Sequence, residues 1–191
     1  YKDSKIQEVK DSVSIEEPLE MRLKFKKNGK WESQNISITM RTPGNDEDLI
    51  RGFLFNERII ENINHIESTE QKGDDVGDYN LKNTIEATIN NIENLDIERL
   101  KRNFLTNSSC GVCGKTSIES IRNSYPDILS DCKIELATLL SLPDRLRKSQ
   151  VVFEKTGGLH SSGLFDKAGN LLCLREDVGR HNALDKVIGF A

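Results

Sequence analysis

The sequence predicts a mixed α+β and α/β protein that begins with a small roll-like domain. Three observations lead to this prediction: strand patterns around one helix at the start, small residues at 106–114, and a helix, hairpin and helix at the end. We divide the chain into a roll-like α+β domain at 1–105, a mobile CxxC loop and connecting segment at 106–135, and an α/β domain at 136–191.

The first strands are predicted by alternation and by one turn signal. Residues 19–25 alternate apolar and polar side chains, as a half-buried strand does. Asn28 and Gly29 tolerate the positive φ that a two-residue hairpin connection needs, so residues 31–40 should return as the partner strand. We expect one face of that strand to carry Ile36, Ile38 and Met40.

A helix and two more strands complete the predicted first domain. Residues 42–46 end the second strand and cap a helix. Further strands are expected at 64–70 and 79–90, and a short helix at 97–104. The helical spacing of four apolar side chains makes them core residues: Leu49, Ile50, Phe53 and Leu54.

The last part of the chain predicts a helix at 136–148, a hairpin from 159–165 and 171–174, and a final helix from about Asp177. The inward stripe of that final helix is expected to be apolar at its end and polar at its start. The apolar members are Leu184, Val187, Ile188 and Ala191, and the polar ones are Asp177, Arg180 and, at the edge, His181.

Two explanations remain open for those polar side chains, because unpaired buried charge is costly. A phosphate-bearing ligand could bind Arg180 and His181 at the positive end of the helix dipole. The alternative is an internal network that pairs Arg180 with Glu176 and His181 with Asp185, each at i,i+4 spacing.

Composition and charge limit the class of protein. The chain has 191 residues, 36% hydrophobic and 30% charged, which is typical of a globular protein. No apolar run approaches the roughly 20 residues of a membrane span, and the start resembles no secretory signal, so we expect no membrane partner and a cytoplasmic location. The net charge, 27 − 31 = −4, argues against a nucleic-acid partner.

Cys110 and Cys113 form a CxxC pair, which can bind zinc, form a disulfide or exchange thiols. The other cysteines, Cys132 and Cys173, provide no second CxxC, which weakens the case for zinc, and we expect both to be buried and inert. A thioredoxin-like protein would carry its CxxC after a strand, not after a serine-rich loop. An exposed, glycine-bounded loop near Lys115 favours a reactive thiolate that carries sulfur.

Several motifs together resemble the formate dehydrogenase accessory sulfurtransferase family, FdhD/NarQ. They are the Cys110–Gly114 loop, the Thr156–His160 turn, the run Glu176–Lys186, and Met40–Gly44 with Gly52–Leu54 and Glu57–Ile60 downstream. The resemblance covers roughly residues 15–191, and the run Glu176–Lys186 is its most specific part.

The resemblance implies a ubiquitin-roll-like first domain and a cytidine-deaminase-like α/β domain. The family continues past the position of Ala191, so we expect the second domain to be incomplete in this chain. Zinc-dependent deamination is not expected, because His181-Asn182-Ala183 lacks the following catalytic glutamate and no Pro-Cys-x-x-Cys is present.

The resemblance also implies a sulfur carrier, a sulfurtransferase that passes persulfide sulfur from a cysteine desulfurase to the molybdenum cofactor, bis-molybdopterin guanine dinucleotide, before insertion into formate dehydrogenase. Cys110 would carry the persulfide with Cys113 as its partner, although their order is open. The cofactor side would comprise His160, Arg175, Arg180 and His181. The alternatives are a cofactor chaperone without sulfur chemistry and a structural zinc protein, and the sequence leaves dimerisation open. No bound metal is expected.

Overall fold

The computed structural model describes residues 10–76, 81–90 and 132–191. These residues form strands and helices in one mixed α and β arrangement, as the sequence predicts at this level. The elements in chain order are β1 (Glu17–Lys27), β2 (Lys30–Arg41), α1 (Asp46–Asn56), a 3-10 turn (Ile63–His65), β3 (Ile66–Val76), β4 (Leu81–Ile89), α2 (Leu136–Ser149), α3 (Val151–Thr156), β5 (His160–Phe165), β6 (Leu171–Asp177) and α4 (Arg180–Phe190).

The first four strands form one sheet in the order β2-β1-β4-β3. β1 is antiparallel to β2 and parallel to β4, and β3 is antiparallel to β4. The β1–β2 connection is the predicted tight turn, with positive φ at Asn28 (52°) and Gly29 (77°).

One face of this sheet packs against α1 and forms the hydrophobic core. β1 contributes Leu19, Met21 and Leu23, while α1 contributes the predicted Leu49, Ile50 and Leu54, all fully or almost fully buried. Phe53 is only partly buried but packs against the same cluster.

The prediction that Ile36, Ile38 and Met40 lie on one face of β2 is wrong. Ile36 is 3% exposed, whereas Ile38 is 58% and Met40 50% exposed. The β1–β2 register shifts at Ile36, and after the shift Ser37 lies opposite the buried Met21. Ser37 therefore faces the core side, and strand alternation turns Ile38 and Met40 to the opposite face.

The second sheet is the hairpin β5–β6, which contacts α4 and α2, and Glu176 of β6 accepts hydrogen bonds from the start of α3. Its first strand and turn are as predicted, but β6 continues to Asp177, so the final helix begins at Arg180 rather than at Asp177. α2 contains Pro143 yet continues unbroken from Leu136 to Ser149. No helix among the described residues is both long and apolar enough to span a bilayer.

α1 and α4 cross at a contact that two glycines make possible. A Cβ atom on Gly189 of α4 would lie 1.9 Å from the Asp48 carbonyl oxygen of α1. A Cβ atom on Gly52 of α1 would lie equally close, 1.9 Å, to the Asp185 carbonyl oxygen of α4. The two backbones therefore approach to a distance that no larger residue permits, and α1 connects the first sheet to the last helix.

We predict that Gly189→Ala destabilises the protein by about 2 to 3 kcal/mol, because the added methyl group overlaps the α1 backbone. Helix propensity alone would predict the opposite sign, since alanine is favoured over glycine by about 1 kcal/mol in a helix interior. Urea unfolding of the variant and of Leu184→Ala, a control on the exposed side of α4, measures the difference. A more stable Gly189→Ala protein would contradict the close crossing.

Candidate functional site

The two cysteines of the CxxC pair, Cys110 and Cys113, lie outside the described residues. Of the other two cysteines, Cys173 is buried as expected, whereas Cys132 is exposed in the coil before α2, so that part of the prediction is wrong. Burial raises the pKa of the Cys173 thiol above its ordinary value, which disfavours the thiolate and suits an inert structural role.

The run Glu176–Lys186 is organised around Asp177, the last residue of β6, whose side chain is fully buried. Its carboxylate accepts hydrogen bonds from Lys186 Nζ (2.7 Å), the Gly179 N–H (2.8 Å), Asn182 Nδ2 (3.0 Å) and the Thr42 N–H (3.2 Å). A buried carboxylate with four donors is well satisfied, so it holds the start of α4 in one position.

Thr42 connects this network to the end of β2. Besides its N–H contact with Asp177, its hydroxyl oxygen accepts from the Val178 N–H (3.1 Å) and its carbonyl accepts from Lys186 Nζ (2.8 Å). The two sequence motifs Met40–Gly44 and Glu176–Lys186, which are far apart in the chain, therefore meet in the structure.

Arg41, immediately before Thr42, forms a second buried ion pair. Its Nε and Nη2 atoms donate to the two carboxylate oxygens of Asp46 (3.1 and 3.0 Å), and Gln71 donates to the same carboxylate (2.8 Å). Arg41 also donates to the Lys82 carbonyl of β4 (3.2 Å). This pair fixes the first residue of α1 against the sheet, which explains the arginine of the Met40–Gly44 motif by structure rather than by catalysis.

The predicted internal partners of Arg180 and His181 are engaged elsewhere. Glu176 accepts hydrogen bonds from two backbone N–H groups at the start of α3 (3.0 and 2.8 Å). Asp185 accepts one from Asn56 of α1 (2.5 Å). The proposed pairs Arg180–Glu176 and His181–Asp185 are therefore wrong, although an internal network does exist around Asp177.

The inward face of α4 also differs from the predicted stripe. Leu184 is 47% exposed, and Arg180 and His181 are exposed as well. The amphipathic pattern did not predict this face because Asn182 and Lys186 turn inward to bind Asp177. In addition, the crossing with α1 places Gly189 on the buried side of α4. The buried positions are Asn182, Ala183, Lys186, Val187 and Gly189.

Three of the predicted cofactor-side residues lie at one end of the β5–β6 hairpin. His160 is the exposed first residue of β5 and pairs in register with Asp177. Arg180 and His181 are the first two residues of α4, whose N-cap Gly179 provides no side-chain acceptor. The start of α4 therefore combines first-turn N–H groups that no side chain caps with the exposed side chain of Arg180, a combination that favours an anionic ligand.

Arg175, the fourth predicted cofactor-side residue, is engaged with α1. Its Nη2 and Nε atoms donate to one carboxylate oxygen of Asp48 (2.8 and 3.1 Å), and its guanidinium lies 4.9 Å from the ring centre of Phe190. These contacts hold the hairpin, α1 and α4 together. A contact of Arg175 with the cofactor stays a prediction.

No group of three or more histidine, cysteine or acidic side chains suited to a metal ion occurs within residues 10–76, 81–90 and 132–191.

Comparison with known proteins identifies the family. The family model described as "FdhD/NarQ family" matches residues 16–191, which is most of the chain. The chain belongs to the FdhD/NarQ family. The matched range includes the two motifs that meet at Thr42 and Asp177.

Relatives of this FdhD/NarQ chain include proteins named "Sulfur carrier protein FdhD". The one from Mycolicibacterium paratuberculosis is 42% identical over 188 residues, covering 95% of this chain and 65% of the relative. The one from Picrophilus torridus is 39% identical over 183 residues, covering 95% and 64%. The chain thus spans slightly less than two thirds of the length of these relatives.

A solved structure shares the fold of this FdhD/NarQ chain. It is described as a formate dehydrogenase accessory protein from Desulfotalea psychrophila, with a TM-score of 0.64 and 26% sequence identity. The match covers 96% of this chain and 62% of the other.

Sequence reasoning missed the structural roles of Thr42, Asp46, Asn182 and Lys186. A signal was available, because the two family motifs place polar residues beside core positions where amphipathic patterns expect apolar ones. No local pattern, however, identifies which polar residue is the partner of which.

Asp185, at the α1–α4 contact, predicts a pH effect on stability. The pKa of its carboxyl is raised from 3.8 to about 7, mainly because the group is buried. The negative charge of Glu57 contributes to this rise, and the hydrogen bond from Asn56 opposes it. As pH rises above the ordinary pKa, the unfolded chain loses this proton first, so stability falls until the folded group has also ionised near pH 7.

We therefore predict that Asp185→Asn is more stable than the parent by on the order of 2 to 4 kcal/mol at about pH 8, with little gain at about pH 4. Urea unfolding across this pH range measures the gain, and Asp144→Asn, at an exposed position of α2, is the matched control. A gain for Asp185→Asn that does not vary with pH would contradict the raised pKa.

Proposed function

We propose that this chain is a sulfur carrier for formate dehydrogenase, a sulfurtransferase that delivers persulfide sulfur to the molybdenum cofactor. The observation that carries the proposal is its membership of the FdhD/NarQ family, with relatives of about 40% identity named "Sulfur carrier protein FdhD". The CxxC pair Cys110–Cys113 supplies the chemistry that such a carrier needs.

The loading step is a thiol exchange. The Cys110 thiolate attacks the outer sulfur of a persulfide on a cysteine desulfurase, the sulfur–sulfur bond of the donor breaks, and the donor cysteine leaves as its thiolate. The outer sulfur is then bound to Cys110. Attack of the Cys113 thiolate on the inner sulfur releases the outer one as hydrosulfide and leaves a Cys110–Cys113 disulfide. The roles of the two cysteines are interchangeable in this scheme.

The acceptor is the molybdenum cofactor in its guanine dinucleotide form, bis-molybdopterin guanine dinucleotide, whose phosphates are anionic. The exposed side chains of Arg180 and His181, with the uncapped N–H groups of α4, support phosphate binding. His160 lies at the same end of the hairpin, and Arg175 completes the proposed set. The Asp177 network supports this role because it holds the start of α4 rigidly.

The finer features of the fold and context belong to the same proposal. They are a ubiquitin-roll-like domain at 1–105, a CxxC loop and connector at 106–135, and a cytidine-deaminase-like domain at 136–191. A cysteine desulfurase and formate dehydrogenase are the proposed partners, in the cytoplasm. Dimer formation is an open part of this proposal.

We predict that incubation with a cysteine desulfurase and cysteine adds one sulfur atom to the peptide that contains Cys110 and Cys113, as seen by mass spectrometry under non-reducing conditions. The double variant Cys110→Ala/Cys113→Ala should lose the adduct, because the nucleophile is gone. Cys132→Ala, at an exposed cysteine outside the CxxC pair, is the matched control and should keep it.

An active desulfurase that leaves the CxxC peptide unmodified would refute the carrier. A second readout separates the carrier from a cofactor chaperone: formate dehydrogenase activity in cells that lack their own FdhD. If the protein is a carrier, the Cys110→Ala/Cys113→Ala variant should fail to restore this activity. If it is only a chaperone, the same variant should still restore it.

We also predict that Arg180→Gln/His181→Asn weakens the binding of guanosine diphosphate about tenfold or more, because a phosphate group loses its charged partners. Calorimetric titration measures the dissociation constant. Lys167→Gln, at an exposed lysine in the β5–β6 turn, is the control and should bind as the parent does. Equal affinities for the double variant and the parent would place the nucleotide elsewhere.

A further inference from the structure

The tip of the β1–β2 hairpin carries a cluster of cations that the sulfur-carrier proposal does not use. Lys24 Nζ and Lys26 Nζ lie 5.3 and 4.9 Å from the ring centre of Trp31. Lys27 and Lys30 flank the turn between the two strands. We call these four lysines and Trp31 the hairpin lysine cluster.

This cluster is strongly positive in a chain that is negative as a whole. Residues 24–32 contain the four lysines and one acid, Glu32, a local charge of 4 − 1 = +3 against −4 for the whole chain. Among the described residues none of the four lysines forms an ion pair within 4 Å, although the charge of Lys24 helps to lower the pKa of the Glu86 carboxyl on β4. Lys26, Lys27 and Lys30 are exposed, so most of this positive charge faces solvent, where a partner can reach it.

Trp31 orders the lysines and also indicates what they bind. Trp31 is 44% exposed, and the ammonium groups of Lys24 and Lys26 lie over its ring at cation–π distance. Where these ammonium groups lie over the ring, a nucleobase could stack only after displacing them. Carboxylates, in contrast, can bind the ordered lysines without disturbing this contact.

The strand that carries Trp31 is an edge strand. β2 is the outermost strand of the first sheet, and within the described part of the chain no strand pairs with its outer side. Towards its end the Met40 carbonyl accepts a hydrogen bond from Asn182 Nδ2 (2.8 Å), so α4 covers that end. Within residues 10–76, 81–90 and 132–191 no such contact is made to the part of the edge nearer the lysines, and an edge strand can accept an added strand.

We propose that the hairpin lysine cluster and the adjoining edge of β2 dock an extended acidic segment of a partner protein. The segment pairs its backbone with β2, and its carboxylates contact the lysines around Trp31. Charge gives the segment its orientation and its salt dependence, while backbone pairing selects an extended conformation.

Trp31 provides a direct readout, because it is the one tryptophan of the chain. The probe is a short peptide of alternating glutamate and valine, titrated into the full chain while tryptophan emission is followed. We expect saturable emission changes, with an affinity that falls as salt is raised. Lys24→Gln/Lys26→Gln should weaken binding roughly tenfold. The matched control Lys155→Gln/Lys167→Gln removes the same charge from other exposed positions and should bind like the parent.

Two further probes test the components of the proposal. An equally acidic peptide with prolines in place of the valines cannot pair its backbone, and it should bind more weakly than the glutamate–valine peptide. Equal binding of the two peptides would overturn strand addition. A single-stranded oligonucleotide that binds where the acidic peptide does not would overturn the choice of partner. Failure of the acidic peptide to bind at all would overturn the proposal.

Discussion

The arrangement of this protein depends most on the hydrogen bonds that the buried carboxylate of Asp177 accepts. The donors are Thr42, the residue that follows β2, Gly179 in the turn after β6, and two side chains of α4. Removing Lys186 would leave a buried charge without its cation, which is costly in a low-dielectric interior. The first sheet, the hairpin and the last helix therefore keep one relative placement because they share this carboxylate.

α1 also joins the first sheet to the hairpin and the last helix, and it makes different contacts along its length. Its first residue pairs with Arg41 of β2, its first turn with Arg175 of β6, its middle crosses α4, and its end contacts Asp185. Its apolar side at the same time covers the first sheet. A helix held by contacts on so many sides fixes the last helix and the hairpin against the first sheet.

The Glu176–Lys186 run divides its residues between two tasks. Asp177, Asn182 and Lys186 are buried and hold the structure, whereas Arg180 and His181 are exposed at the start of α4. Because the buried members fix the helix start, the exposed members point to solvent from a rigid base. A motif of this kind serves the fold and the proposed ligand site together, so a substitution within it must be tested for stability as well as for binding.

Local patterns in the sequence determined the Asn28-Gly29 turn, the amphipathic α1, the hairpin β5–β6 and the family motifs, because each depends on residues close together in the chain. The tertiary structure decided which faces of β2 and α4 are buried. A one-residue register shift turned Ile38 and Met40 outward, and Lys186 turned inward to meet Asp177, whose own partner Thr42 is 135 residues distant. Periodicity ranks side chains by polarity alone, whereas burial of a charge or of a glycine contact depends on a partner that only the folded chain brings near.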